Sequence, residues 1–256
     1  VVNAGNTSHL ETYKTFLYDR LQRKGFDRKD IHRLAARDRH VFASLMLAHG
    51  HGDGLVTGAT RKSAHILECI NYVFDANAKH GAAGITALLH KGRIVFIGDT
   101  LVHEWPNEED LANIAESGAK VARHMGLEPR VAFVSFSTFG YPVSERAEKM
   151  LHAPEVLDRR GVNFEYEGEM TVDVALNAES QKNYPFSRLT GPANILVVPS
   201  RHSASISVKL MQEMAGATVI GPILTGLDKS IQICSTTHTA NDILNMAILA
   251  ACKVGE

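Results

Sequence analysis

GPILTGLDKSIQICSTTHTAND, Gly221 to Asp242, is the stretch on which the fold turns. Gly-Pro-Ile-Leu reads as the end of a buried strand, and Gly226 lets the backbone turn without steric cost. The polar run Ser235-Thr236-Thr237-His238-Thr239 then leads into Asn241-Asp242-Ile243-Leu244, where an apolar helix begins. Ser and Thr ahead of a helix suit N-capping, and free N–H groups at such a helix start suit an anion. The same letters also describe an ordinary strand–loop–helix connection.

Working outward, strands and helices alternate. Thr7 or Ser8 can cap a helix carrying Tyr13, Phe16, Leu17 and Leu21, with Gly25 as its stop. A second helix is predicted over Asp30 to Ala48. Gly54 to Gly58 reads as a buried strand, followed by a helix with apolar Ala64, Leu67, Ile70 and Val73. Gly84 to Leu89 and Arg93 to Gly98 form a hairpin across His90-Lys91-Gly92. Asn107 opens an amphipathic helix from Glu108 to Met125, whose acidic first turn suits the positive end of the helix dipole. Val131 to Ser135, Asn194 to Pro199 and Thr218 to Ile220 read as further buried strands. This alternation predicts an α/β fold with a largely parallel sheet. Ligands in such folds bind beyond the carboxyl ends of the strands. Gly54 to Gly58, Ser135 to Gly140 and Gly221 to Gly226 are the candidate strand ends.

Composition excludes several functions. The chain has 256 residues, 45% hydrophobic and 21% charged, with net charge −1 and a pI near 7.0, so no basic surface for nucleic acid is indicated. No apolar run approaches the ~20 residues a membrane helix needs, and no signal peptide is visible. Cys69, Cys234 and Cys252 lack framework spacing, which fits a reducing cytoplasm. Cys234 is read as a packing residue rather than a reactive thiol. The thirteen histidines include His49 and His51, but no carboxylate or cysteine stands at ligand spacing to them, so no metal site is predicted. His103 and His238 lie in segments expected to face a ligand.

The stretch Gly221 to Ser235 resembles the signature G-P-x-L-x-G-L-x-K-P-V-N-D-L-S-R-G of the phosphate acetyltransferase family, through Gly221, Pro222, Leu224, Gly226, Leu227, Lys229 and Ser235. Gly52 to Leu67, Tyr166 to Leu176 and Gly191 to Ala217 are similar to further segments of that family, in the same order. The resemblance implies two α/β lobes (isocitrate/isopropylmalate dehydrogenase-like) with a ligand cleft between them. Residues 1–76 plus 224–256 would form the first lobe and 77–223 an inserted second lobe. Starting at Val1-Val2-Asn3, the chain is read as a fragment lacking the N-terminal part of the first lobe.

The departures carry the functional expectation. The family places an Arg after the motif Ser; here it is Thr236. The Arg that helps hold phosphate corresponds to Glu68, and Gln232-Ile233 replaces Asn-Asp. Arg is favoured at such positions because its planar fork matches phosphate oxygens. Arg61 and Lys62 lie close by in sequence as possible substitutes. Asp242 matches the carboxylate held to act as base toward the CoA thiol. This pattern, with Phe16 to Phe26, Asp38 to Gly58, Asp99 to Ala115 and Glu128 to Met150, resembles the C-terminal phosphotransacetylase-like domains of bacterial NADP-dependent malic enzymes. The resemblance implies a non-catalytic, allosteric acetyl-CoA-sensing domain, a homodimer within a larger homo-oligomer. NADP and a divalent metal would belong to a malic-enzyme core elsewhere in the polypeptide, serving central carbon metabolism. Candidate contacts to acetyl-CoA or CoA are Ser235, Thr236, His238, Asp242, Lys229, Lys209, Thr138 and Arg61. An active phosphate acetyltransferase and a structural oligomerisation module are the alternatives.

Overall fold

A computed structural model describes residues 2–76, 81–142 and 145–254. In chain order the elements are α1 (Leu10–Leu21), α2 (Arg28–Arg37), α3 (Arg39–Ala48), β1 (Leu55–Gly58), α4 (Ser63–Asn71), β2 (Ala83–His90), β3 (Arg93–Gly98) and α5 (Glu108–His124). There follow β4 (Arg130–Val134), α6 (Glu145–Arg160), β5 (Glu165–Met170), α7 (Val172–Leu176), α8 (Ala178–Gln181), β6 (Ile195–Val197), α9 (Arg201–Ala215), β7 (Thr218–Thr225), β8 (Ile231–Cys234) and α10 (Ala240–Ala251). They fall into two compact units, Val1–Ala78 with Leu227–Val254, and Lys79–Gly226. The predicted boundary at Asn77 lies outside the described residues; the chain returns to the first unit just beyond the predicted Ile223. No helix among the described residues is long and apolar enough to cross a membrane.

The first unit is mostly helical. Tyr13, Leu17 and Leu21 of α1 pack with Ile31, Ala35, Val41, Phe42, Leu45, Cys69 and Val73 into one buried cluster. Burial of such aliphatic and aromatic side chains contributes about 1.5–3 kcal/mol each. The predicted single helix from Asp30 to Ala48 is two helices. Asp38 is extended (φ −94°, ψ 111°), ending α2 and capping α3 by accepting from the His40 and Val41 amides at 2.9 and 3.1 Å. Its carboxylate offers the backbone an alternative to the continuous helical ladder. The start of α1 also differs. Thr7 Oγ1 accepts from the His9 amide at 3.3 Å, the helix begins at Leu10, and neither Thr7 nor Ser8 caps it. On α4 the buried residues are Ile66, Cys69 and Ile70, followed by Val73, while Ala64 is exposed and Leu67 half-buried. Ile70 and Val73 are thus buried as predicted, whereas Ala64 and Leu67 are not, because the core reads the i, i+3, i+4 row from Ile66. Strands β1 and β8 pair in parallel, Leu55 with Ile231 through Gly58 with Cys234. All of β8 is buried, whereas β1 is half-buried rather than fully buried.

The second unit is built on a six-stranded sheet of order β5-β4-β6-β3-β2-β7. The pairs β5–β4, β4–β6 and β6–β3 are parallel; β2 is antiparallel to both β3 and β7. The sheet is therefore mixed, with β2 alone reversed, because the β2–β3 hairpin turns at Lys91-Gly92, both at positive φ (47° and 74°). Alternation along the strands serves both faces. Ala132, Val134, Leu196 and Val198 pack with Met170, Val174, Ala175 and Ala204 beneath α7 and α9. Helix α5 lies against β2, β3, β4 and β6, with α6 beside it. Helix α5 starts as predicted: Asn107 and Asp110 form a reciprocal capping box. Strand β7 runs on past the predicted Ile220 to Thr225, and Gly226 then turns the chain at φ +74°.

Candidate functional site

In the first unit, two parallel strands deliver two loops side by side. Gly58 sits opposite Cys234, and the Ala59 amide donates to the Cys234 carbonyl at 2.9 Å. The approach is so close that a Cβ on Gly58 would lie 2.2 Å from that carbonyl oxygen, and Gly58 has φ +122°. Beyond Gly58 the chain runs through exposed Arg61 and Lys62 into α4; beyond Cys234 it runs through Ser235 to Thr239 into α10.

The two helix starts differ. Thr239 Oγ1 accepts from the Asp242 amide at 3.3 Å, and Asp242 Oδ2 accepts from the Thr239 amide and from Thr239 Oγ1, both at 2.8 Å. The backbone and side-chain bonds from Thr239 hold the Asp242 carboxyl below the ordinary carboxylate range, aided by His238. The α10 start is thus satisfied by its own side chains. Among the described residues no side chain caps α4 at Lys62; the His65 amide donates to the Lys62 carbonyl at 3.0 Å, which leaves the Ser63 and Ala64 amides as the donors at this helix start, next in sequence to exposed Arg61 and Lys62. Partial positive charge and two cations there suit an anion.

Ser235 and Thr237 hydroxyls lie 3.1 Å apart, and the His238 amide donates to the Ser235 carbonyl at 3.2 Å. His238 Nδ1 is buried and makes no hydrogen bond among the described residues. Thr236, which the family resemblance sets where an arginine is expected, is exposed. Beneath β1, buried His40 places Nδ1 2.7 Å from Thr57 Oγ1, and burial pushes its pKa down, so the ring favours the neutral form. Cys234 is buried, and its thiol is pushed up by burial and then by Asp242, which fits a packing residue.

Ser235, Thr236, His238, Asp242 and Arg61 therefore share one end of the β1–β8 pair. Lys229 does not: it precedes β8 and is exposed at the opposite end of that short strand. Lys209 and Thr138 belong to the other unit. Lys209 is exposed on α9, and Thr138, in the loop after β4, accepts from the Thr171 amide at 3.2 Å. In that unit Glu169 is buried, and Oε2 makes no hydrogen bond among the described residues. His103 is engaged rather than free. Its Nδ1 lies 2.8 Å from Asp99 Oδ2, and that hydrogen bond raises its pKa.

The paired histidines of the sequence, His49 and His51, line Tyr13. His51 Nδ1 is 2.6 Å from Tyr13 Oη, and the His49 ring lies 4.8 Å from the Tyr13 ring. Sequence reasoning missed a different group. Asp38, His65 and Cys69 bring one potential ligand atom each within 4.8 Å of one another. His65 and Cys69 stand four residues apart on α4, a legible signal, but Asp38 joins them only through the fold. Glu68, the other position where the family resemblance expects an arginine, is exposed and accepts from Tyr72 Oη at 2.7 Å.

Comparison with known proteins places this geometry. The family model for phosphate acetyl/butaryl transferase matches residues 1–251. The chain is 49% identical over 255 residues to an NADP-dependent malic enzyme of Rhizobium meliloti, covering 100% of this chain and 34% of that protein. It is 29% identical over 234 residues to a phosphate acetyltransferase of Bacillus subtilis, covering 91% of this chain and 72% of that one. A phosphotransacetylase structure from Streptococcus pyogenes superposes with a TM-score of 0.92 at 26% identity, covering 99% of this chain and 78% of that one. The chain spans about one third of the length of the malic-enzyme relatives it matches.

Proposed function

We propose, from the premise that this chain belongs to the phosphate acetyl/butaryl transferase family, that it binds acetyl-CoA or CoA as a regulatory domain and does not transfer the acetyl group. The observation that carries the reading is the state of Asp242. Its Oδ2 is taken by two hydrogen bonds from Thr239, and its pKa is lowered, so it is a weak proton acceptor for a thiol. Thr236 and Glu68 add to this. A transferring acetyl phosphate needs cationic or amide donors, and removing one such donor costs on the order of 10² in rate. Threonine offers a single hydroxyl, and Glu68 repels an anion.

Binding is a lesser demand. The uncapped start of α4, with Arg61 and Lys62, offers donors and positive charge to a phosphate, and Ser235 and Thr237 add hydroxyls nearby. Lys229 is set aside as a contact at this end of the strands. In the full polypeptide the ligand would bias a core that converts malate and NADP to pyruvate, CO₂ and NADPH, within a cytoplasmic homo-oligomer. Such regulation requires the ligand to bind two states of the assembly with different affinity.

The test is calorimetric titration with acetyl-CoA, free CoA and acetyl phosphate, followed by an assay for acetyl phosphate formation from acetyl-CoA and phosphate. The reading expects saturable acetyl-CoA binding, weakened in Arg61→Ala, and no turnover above background. Turnover would overturn it in favour of an active transferase. Absence of binding would overturn it in favour of a structural module.

A further inference from the structure

We infer that Asp38, His65 and Cys69 form a binding site for a zinc-type divalent cation, with Glu68 as the outer partner of the histidine. The site lies within the first unit and does not depend on the acetyl-CoA reading. His65 Nε2 is 3.7 Å from Cys69 Sγ and 3.9 Å from Asp38 Oδ2, and all three ligand atoms fall within 4.8 Å of one another. A tetrahedral cation with bonds of about 2.1 Å to nitrogen or oxygen and about 2.3 Å to sulfur holds such atoms about 3.5 Å apart. The two distances from His65 need to close by only a few tenths of an ångström, and the Asp38–Cys69 pair, within 4.8 Å, by about 1 Å at most.

Asp38 and His65 are each held by one atom and turn the other toward the site, where Cys69 Sγ already meets His65 Nε2. Asp38 uses Oδ1 to cap α3, which leaves Oδ2 toward His65. His65 and Cys69 are one helical turn apart on α4, where side chains meet. His65 turns its other nitrogen, Nδ1, toward Glu68 Oε2 at 3.8 Å, and Glu68 Oε1 is fixed by Tyr72 Oη at 2.7 Å. A carboxylate on the far nitrogen is the usual support of a metal-bound histidine, since it fixes tautomer and ring orientation. This assigns a role to the acid that stands where relatives are expected to carry an arginine.

The donor set selects the cation. Thiolate and imidazole favour zinc, and cobalt as its probe, over magnesium or calcium. On binding, the Cys69 proton passes to solvent, and the thiolate and the Asp38 carboxylate together neutralise the divalent charge. Cys69 is fully buried, but the His65 side chain is 44% and the Asp38 side chain 25% exposed, so a cation can enter from their side. A water completes the fourth position.

The test uses the full chain carrying Cys252→Ser, which removes the exposed thiol. Titration with Co²⁺ under reducing conditions, read by the near-ultraviolet thiolate-to-cobalt band, should saturate at one equivalent and reverse with Zn²⁺. His65→Ala and Asp38→Asn should each reduce affinity at least tenfold, and Glu68→Gln about tenfold. Asp38→Asn keeps a good helix cap and His65 is partly exposed, so both variants remain folded, as circular dichroism would verify. Cys69→Ser should abolish the band. Zn²⁺ should raise the melting temperature of the parent and not of His65→Ala. No band in the parent, or a band of unchanged affinity in both His65→Ala and Asp38→Asn, would overturn the inference.

Discussion

Gly58→Ala tests whether the closeness of β1 and β8 holds the candidate site together. The added Cβ would lie 2.2 Å from the Cys234 carbonyl oxygen and 2.9 Å from its nitrogen, so the strands must part by about 1 Å to restore ordinary contact. The backbone at φ +122° is one that alanine adopts only under strain of about 1–3 kcal/mol. Parting the strands also breaks the bond from the Ala59 amide to the Cys234 carbonyl, worth about 1 kcal/mol. Residual overpacking adds about 1 kcal/mol or more, for a total of about 3–5 kcal/mol. Most substitutions cost about 1 kcal/mol, so the effect should stand out. The single tryptophan, Trp105, is in the other unit, so its fluorescence is the wrong probe. Native-state hydrogen exchange is suitable, because the Leu55 and Ala59 amides donate across the strand pair. Their protection should fall by at least a hundredfold while the β2–β7 amides keep theirs. A loss at Leu55 and Ala59 of less than about fivefold, close to 1 kcal/mol, would refute the reasoning.

Three further expectations follow from the caps and histidines. Asp38→Ala should lower stability by about 1–2 kcal/mol in urea unfolding, whereas Asp38→Asn should stay within about 0.5 kcal/mol, because asparagine caps equally well. Thr239→Ala should cost about 1 kcal/mol and raise the Asp242 pKa toward its ordinary value, measured by carboxyl NMR. The folded pKa of Asp242 is depressed, so its contribution is full above the unfolded value of about 3.9 and is lost as pH falls through the folded value; the variant should lose this dependence. His40 and His103 should act in opposite directions. The His40 pKa is lowered by burial, so acidification below about 6.5 should reduce protection in the first unit. The His103 pKa is raised by Asp99, so the stability it gives the loop after β3 is full below about 6.5 and is lost as pH rises through the raised value. Exchange measured between pH 5 and 8 at His40-linked and His103-linked amides checks both signs.

How much could be read from the residues depended on whether the signal was local. Asn107 with Asp110, Lys91 with Gly92, and Gly226 each fix their own backbone through chemistry contained in a few positions, and the structure follows them. Asp38 misled because a polar residue inside an apolar period reads as the wet face of one helix; its carboxylate chooses the cap instead. The first turn of the buried row of α4 was misread because Leu67 is as apolar as Ile66, and only the packing of α4 against α3, β1 and β8 distinguishes them. The Asp242 lock has a local signal, since Thr239 and Asp242 stand at capping-box spacing, whereas the family resemblance reads Asp242 only as the remnant of a carboxylate facing the CoA thiol. Asp38 meeting His65 and Cys69 is a tertiary fact, invisible to any window along the chain.

The pairing of β1 with β8 has a consequence for biosynthesis. The whole of the second unit lies between these two strands in the chain. A ribosome therefore releases a complete set of residues for Lys79–Gly226 while the first unit still lacks a strand and its last helix. Until Ile231 to Cys234 emerge, β1 offers an open hydrogen-bonding edge to whatever is near, the kind of exposure that recruits chaperones or stray strands. The inserted unit has the earlier opportunity to fold, and its own β2–β7 pairing then brings the chain ends at Gly226 and residue 81 together. That closure shortens the loop the first unit must close to finish its sheet.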